Sequence, residues 1–135
     1  MSKRQIIVDA IITRLSAIPN IISVDDWKVH KLSEKEMPAI IIRDVGSKTD
    51  SSAYGSIGHS LSIEVDLLVS DSSTTMATLR TIMSSILTAI GTEGDDLLDH
   101  VTYEGDDILA EHQDYFYGGA RMKFSVDYST AAWEI

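Results

Sequence analysis

Apolar residues recur at helical spacing in two segments of the chain. Residues 2–18 repeat them every three or four positions and are followed by Pro19, so they predict an amphipathic helix that ends near that proline. A second stripe of this kind runs through residues 70–91, the segment SDSSTTMATLRTIMSSILTAIG. Polar residues at 71–73 are suited to cap its amino end, and Gly91 stands where a left-handed residue is expected to end it. Each predicted helix has one apolar face, which must pack against another part of the fold.

Alternation of apolar and polar residues predicts strands elsewhere. Residues 61–70, LSIEVDLLVS, show it most clearly, and residues 120–130, ARMKFSVDYST, repeat it near the carboxyl end. Residues 37–45, MPAIIIRDV, contain a β-branched run at 40–42 that predicts a strand buried on both faces. Weaker or shorter extended patterns occur at residues 22–32, 101–103 and 108–112.

Between two of these strands lies a polar segment rich in serine and glycine. Residues 46–59, GSKTDSSAYGSIGH, are typical of a long loop or the tip of an extended hairpin, with His59 on the surface. The predicted order is therefore a helix, three or four strands, a second helix and two or three further strands. This order indicates one α+β domain over residues 1–135, with two helices packed on one face of a mainly antiparallel sheet.

Composition narrows the class of protein. The chain has 135 residues, no cysteine and 44% hydrophobic residues, which suits a single domain without disulfides or thiolate metal sites, and agrees with a cytoplasmic origin. No apolar run approaches the roughly 20 residues that a membrane span needs. The formal net charge is −10, and no Lys or Arg occurs between Arg80 and Arg121. An acidic chain of this kind is not expected to bind nucleic acid or anionic lipid directly.

Within that acidic region the tetrapeptide Glu-Gly-Asp-Asp occurs at 93–96 and again at 104–107. Oxygen ligands suit Mg²⁺, Mn²⁺ or Ca²⁺, and histidines add the option of a transition metal. The candidate ligands for such an ion are Asp95, Asp96, His100, Asp106, Asp107 and His112. The glycine precedes the aspartates, which does not fit a calcium loop. Glycine and aspartate together are typical of turns, so we expect two acidic turns, with ion binding secondary and no cofactor or metal assigned.

The sequence contains no pattern of an active site. The four histidines are scattered, without a nucleophile elbow, and the segment 46–59 lacks the spacing of a phosphate-binding loop. Aromatic residues near loops and the carboxyl terminus are of the type that protein interfaces use, although burial beneath the sheet explains them equally well. The interface candidates are Tyr54, Tyr115, Tyr117 and Trp133.

The order of predicted elements also resembles a known family. The helix RQIIVDAIITRLSAI, the strand MPAIIIRDV, the strand HSLSIEVDLLVS, the helix TTMATLRTIMSSILTAI and the closing strand GGARMKFSVDYST follow one another over residues 4–130. This arrangement resembles the bacteriophage tail terminator proteins, the lambda U-type and Mu-like neck proteins of long-tailed phages and prophages.

The resemblance implies a protein that is not an enzyme. Its expected form is a hexameric ring that caps the tail tube, stops tail polymerisation and offers the surface for head attachment. Its partners would be the tube protein and a head-completion or connector protein, first in the host cytoplasm and then in the virion tail or neck. The family offers no catalytic residues to carry over to this chain. Another neck component, or a small metal-dependent enzyme using the Asp and His residues of 93–112, are the alternatives.

Overall fold

The computed structural model describes residues 2–27, 37–53, 55–70, 75–91, 100–112, 116–131 and 134–135. Two helices, α1 (Lys3–Ser16) and α2 (Thr75–Gly91), accompany five strands: β1 (Ser23–Asp26), β2 (Ala39–Ala53), β3 (Ser56–Ser70), β4 (Val101–His112) and β5 (Phe116–Ala131). The strands form one sheet in the order β1-β2-β3-β5-β4. Only β1 and β2 pair in parallel, and the other neighbours are antiparallel. The predicted α+β class is confirmed.

The segment 46–59 is the tip of an extended hairpin, the second of its two predicted forms. β2 and β3 each run for 15 residues and pair as far out as Ala53 and Ser56. Gly55 lies in the turn with φ +71°, a left-handed conformation that glycine adopts without steric cost. β3 is also paired with β5 along its whole length, from Ser56 opposite Ala131 to Ser70 opposite Tyr117. The polar sequence of 46–59 therefore continues the ladder, because backbone pairing on β3 holds it extended.

The core lies between the two helices and one face of the sheet. α2 contacts β3 and β5, while α1 contacts β1, β2 and α2. Every second residue is buried from Leu61 to Val69 on β3 and from Ala120 to Tyr128 on β5, as the alternation predicts. Burying a Val, Leu, Ile, Phe or Met side chain contributes about 1.5–3 kcal/mol. The fully buried side chains that fill this layer are Ile7, Ile11, Leu15, Ile40, Ile42, Leu61, Ile63, Leu67, Leu79, Ile86, Ile90 and Met122. The prediction that 40–42 is buried on both faces is wrong, because Ile41 points to the other side of the sheet and is partly exposed.

The helix ends are held by side chains. The Ser2 hydroxyl accepts the backbone N–H of Gln5 at 3.1 Å and so caps α1. At the end of α2, Arg14 Nη1 donates to the carbonyls of Ala89 and Ile90 at 3.1 and 3.0 Å. Gly91 is the last residue of α2 and has no positive φ, so the expected left-handed cap is wrong. A cation from α1 satisfies these carbonyls instead and favours the negative end of the helix dipole. Residues 71–73, the predicted amino-end caps, lie outside the described residues.

Candidate functional site

The second Glu-Gly-Asp-Asp lies inside β4 and does not form a turn. Tyr103 pairs with Phe124 and Gly105 with the adjacent Lys123, so Glu104 is an extra residue in the ladder. This β-bulge is made possible by Gly105, whose φ is +120°. The predicted acidic turn and the two separate extended pieces are therefore one continuous strand, because the bulge absorbs the interruption. The first copy, at 93–96, lies outside the described residues.

The two aspartates of β4 lie on opposite faces of the sheet. Asp106 lies opposite Met122, on the face that carries the core, and Asp107 lies opposite Arg121 on the other face. The Asp107 carboxylate pairs with Lys123 Nζ at 3.0 Å. The Asp106 carboxylate accepts the hydroxyl of Tyr103. Burial, followed by this bond and the charge of Asp106, raises the pKa of Tyr103 to about 12.

Some of the candidate metal ligands predicted from the sequence lie among the described residues. Asp95 and Asp96 lie outside it, and of His112 only the backbone, opposite Phe116, is described. His100 precedes β4, and its carbonyl accepts the N–H of Asp127 at 3.2 Å. Over the described residues, no three His, Asp or Glu side chains are placed to hold one metal ion.

β4 forms one border of the sheet. Its side away from β5 has no strand partner among the described residues. Tyr103 and Ile108 lie opposite Phe124 and Ala120, on the face that the helices cover further inside the sheet, yet they are 38% and 43% exposed. Glu104, Asp106 and Asp107 are exposed on the same stretch. We name residues 101–108 the β4 edge.

A second free border lies on the opposite side of the sheet. β1 pairs only with residues 39–42 of β2, and beyond them no described strand pairs with that side of β2, where the Asp44 carbonyl accepts from Arg4 Nη2 at 3.4 Å. We name residues 43–50 the β2 edge. Val45 lies at a bulge between Asp44 and Gly46 and is 46% exposed, and Lys48 is also exposed. Both borders of the sheet therefore offer backbone hydrogen-bonding groups to another strand.

The face of the sheet opposite the helices carries a ladder of ion pairs. Arg43 on β2 lies 3.4 Å from Glu64 and 2.9 Å from Asp66 on β3. Arg121 on β5 reaches the same two carboxylates at 3.4 and 3.0 Å. The Arg43 guanidinium also lies 5.8 Å from the centre of the Trp27 ring. These cross-strand pairs fix the positions of long side chains on the solvated face.

An open groove of about 570 Å³ continues this face toward the hairpin tip. Its lining includes Gly58 and the polar residues Lys48, Asp50, Ser60, His100 and Asp127. Acidic and basic groups are mixed here, so the groove has no strong field of one sign for a charged substrate.

His59 lies on the opposite, core-bearing face, and its predicted place on the surface is wrong. The side chain is only 6% exposed. Its ring stacks on Tyr128 with centroids 4.7 Å apart, and Nε2 is 2.8 Å from Thr130 Oγ1. The alternation that buries Leu61 and Ile63 extends two residues further than the apolar pattern indicates, because β3 continues beyond it to Ser56.

The predicted aromatic contacts fall largely outside the described part of the chain. Tyr54, Tyr115 and Trp133 lie outside the described residues, and for Tyr117 only the backbone is described, opposite Ser70 and Glu111. Tyr103 and Ile108 are among the exposed large hydrophobic side chains that sequence reasoning missed, together with Ile6, Ile22, Trp27, Val45, Leu87 and Ile135. Tyr103 and Ile108 flank the acidic tetrapeptide in the sequence. Their exposure could not be predicted without knowing that β4 lies at the border of the sheet.

The chain matches no known protein-family model, and a search of curated proteins finds no significant match. Neither described helix is both long and apolar enough to cross a membrane.

Proposed function

We propose that this protein is a structural component of a phage or prophage tail, of the tail-terminator type. Copies of the chain assemble into a hexameric ring that caps the tail tube, ends its polymerisation and offers the surface for head attachment. In this role the protein is not an enzyme and uses no cofactor. It assembles in the host cytoplasm and remains in the tail or neck of the virion.

One observation supports the proposal above the others: within the described residues, the sheet has no strand partner on either border, the β2 edge or the β4 edge. Unpaired borders with exposed apolar side chains tend to recruit further strands, so monomeric proteins usually block or cover them. Two different borders on one chain allow head-to-tail contacts. Contacts of that kind close into a ring when the rotation between copies permits.

The hairpin and the acidic strand have roles within this proposal. The tip of the β2–β3 hairpin, residues 46–59, is the segment we assign to contact with the tube. The acidic residues of β4 would suit a passage for DNA, because carboxylates repel phosphates and do not retain them.

Solution mass and particle shape test the proposal. The protein is measured by light scattering on a sizing column with and without Mg²⁺, and each pool is imaged by negative-stain microscopy. A particle near six times 14.8 kDa with a central hole is expected. Tails assembled without the protein should also exceed the normal length, and tails assembled in its presence should have the normal length. A monomer that binds Mg²⁺ and leaves tube length unchanged would overturn the proposal in favour of a metal-dependent activity.

A further inference from the structure

The two free borders have compatible strand directions. β2 and β5 are each antiparallel to β3, and β4 is antiparallel to β5. β4 therefore runs opposite to β2. When two copies lie side by side in the same orientation, the β4 edge of one meets the β2 edge of the next in antiparallel fashion. The helices of both copies then stay on one face of a continued sheet.

The two borders also lie at similar heights in the sheet. Paired residues form continuous rows, one of which contains Ser47, Leu61, Val126 and Val101. A second row contains Asp44, Ile63, Phe124 and Tyr103. Residues 101–105 of β4 thus lie level with residues 43–47 of β2, which β1 leaves unpaired, so a sideways step places them opposite one another without a large shift along the strands.

Charge distinguishes this contact from its symmetric alternative. β4 contains no Lys or Arg, and Glu104, Asp106 and Asp107 are exposed on it. Pairing of two β4 edges would bring these acidic groups together, which is unfavourable. Lys48 and Asp50 are both exposed on the β2 edge, so this edge lacks the uniform negative charge of β4. Asp44 on that strand is already bound by Arg4 and Trp27.

Apolar exposure points to the same contact. Tyr103 on the β4 edge and Val45 on the β2 edge lie at nearly the same level of the sheet, and each is more than a third exposed. Addition of a strand joins main-chain hydrogen bonding with burial of such side chains. We propose that the β4 edge of one copy pairs in antiparallel fashion with the β2 edge of a second copy, extending the sheet head to tail. This inference rests on the proposed function, since it names the contact that would build the ring.

Cysteine cross-linking tests the geometry directly, because the chain contains no cysteine. Thr102→Cys on β4 is mixed under oxidising conditions with Gly46→Cys or Lys48→Cys on β2. Gly46 lies in the same row as Thr102, Lys48 is two residues further along the strand, and all three positions are on the solvated face of the sheet. A disulfide dimer is expected in at least one of these mixtures. The control mixes Thr102→Cys with Ser84→Cys, an exposed position on α2, and should remain monomeric on a denaturing gel.

Charge reversal tests the contact independently. Lys48→Glu is expected to weaken self-association by roughly three- to tenfold, because it replaces an exposed cation of the β2 edge with a carboxylate beside the acidic β4 edge. Arg80→Glu makes the same change of charge on an exposed position of α2 and should leave self-association unchanged. An equal effect of Lys48→Glu and Arg80→Glu would overturn the assignment, because it would report net charge alone.

The combined outcomes separate the contact from the function. If microscopy shows a ring but the mixtures of β4 and β2 variants give no disulfide dimer, the proposed contact is wrong and the proposed function stands. The same holds if Thr102→Cys forms disulfide dimers with itself only. Cross-linked dimers or open chains without a ring support the contact and contradict the tail-terminator role. Monomers at every concentration, both free and on tail tubes, overturn the contact.

Discussion

His59 shows how a single side chain is fixed by the atoms around it. The hydroxyl of Thr130 donates to the carbonyl of Glu134 at 3.2 Å. Because this hydroxyl has one proton, it must accept from His59 Nε2, which therefore carries hydrogen. His59 Nδ1 is buried and has no hydrogen-bond partner among the described residues. The Nε2 bond thus offsets part of the cost of burying the ring.

Replacing Thr130 tests this arrangement. Thr130→Val keeps the shape but leaves the buried His59 Nε2 without its acceptor, so we expect the free energy of unfolding at pH 7 to fall by about 1–3 kcal/mol. Thr130→Ser keeps the hydroxyl and should lose clearly less. Urea unfolding measures the free energy of unfolding of both variants. Equal losses would show that the threonine methyl group, and not its oxygen, stabilises this part of the sheet.

Asp44 joins three parts of the chain. Its carboxylate accepts from Arg4 Nε of α1 at 2.6 Å and from Trp27 Nε1, just after β1, at 2.7 Å. Burial raises the pKa of Asp44, but the bonds from Trp27 and Arg4 together outweigh it and lower the pKa below 3.8. The charged carboxylate is therefore favoured in the folded protein relative to the unfolded chain.

The lowered pKa predicts a pH dependence. The stabilisation from Asp44 is fully present above the unfolded value of 3.8 and is lost as the pH falls through the lower folded pKa. Asp44→Asn should therefore lower stability at pH 7 by about 1–3 kcal/mol, since both bonds involve a charged group. The difference from the unmodified protein should shrink in acid. Unfolding curves at several pH values measure it, and a difference that stays constant into acid would contradict this account.

The course of β4 depends on the backbone conformation of one residue, Gly105. Gly105 and Gly46 both adjoin bulges, and a Cβ at either position would meet no atom within 4 Å. They differ in φ, which is +120° at Gly105 and not positive at Gly46. A Cβ therefore fits without a clash at both sites, and the two alanine substitutions differ only in the backbone strain that they introduce.

This difference gives a matched pair of variants. Gly105→Ala forces a side chain into the left-handed region and should cost about 1–3 kcal/mol of stability. Gly46→Ala carries no such strain and should be neutral or stabilise by up to about 1 kcal/mol, because it restricts the unfolded chain. Thermal or urea unfolding of the two variants compares them. Similar losses would indicate that Gly105 is not needed for its φ.

The second helix offers a similar contrast between adjacent residues. Ile86 is fully buried against the sheet, whereas Leu87 is 36% exposed on the next position. Ile86→Ala should lower stability by about 2–5 kcal/mol through lost burial and a cavity. Leu87→Ala should cost no more than about 1 kcal/mol. Chemical denaturation distinguishes them, and a larger loss for Leu87 would mean that the helix is rotated about its axis.

Over the whole molecule, charge acts in two opposite ways. The net charge of −10 makes the acidic groups repel one another, and this repulsion is stronger in the compact folded protein than in the unfolded chain. The ladder from Arg43 to Arg121 supplies local attraction on the solvated face. Ion pairs of this partly exposed kind contribute little individually, about 0–1 kcal/mol each. General repulsion should therefore outweigh them.

Added salt tests which effect is larger. Screening acts over about 8 Å at 0.15 M ionic strength, so NaCl should weaken the general repulsion and raise the melting temperature at pH 7 by a few degrees. Arg121→Gln should make this rise larger, because it removes a local attraction that salt weakens. A melting temperature that falls with salt would show that the ion-pair ladder dominates.

Periodicity and composition determine much of this fold. The stripes of α1 and α2, and the alternation in β3 and β5, are visible in the sequence because each buries one apolar face. They are enough to predict the α+β class and most of the core. The functional role is different, because neither periodicity nor charge reports what the protein assembles with, and the tail-terminator role stays a proposal.

The borders of the sheet were decided by long-range contacts. The polar hairpin is extended because β3 pairs with β5 to its end, and the second acidic tetrapeptide is a strand because Gly105 permits a bulge. His59 is buried for the same reason, since Tyr128 and Thr130 come from a distant strand. Local sequence encodes which face of a strand is apolar. Only strand order decides which strands remain unpaired, because that order depends on partners far apart in the chain.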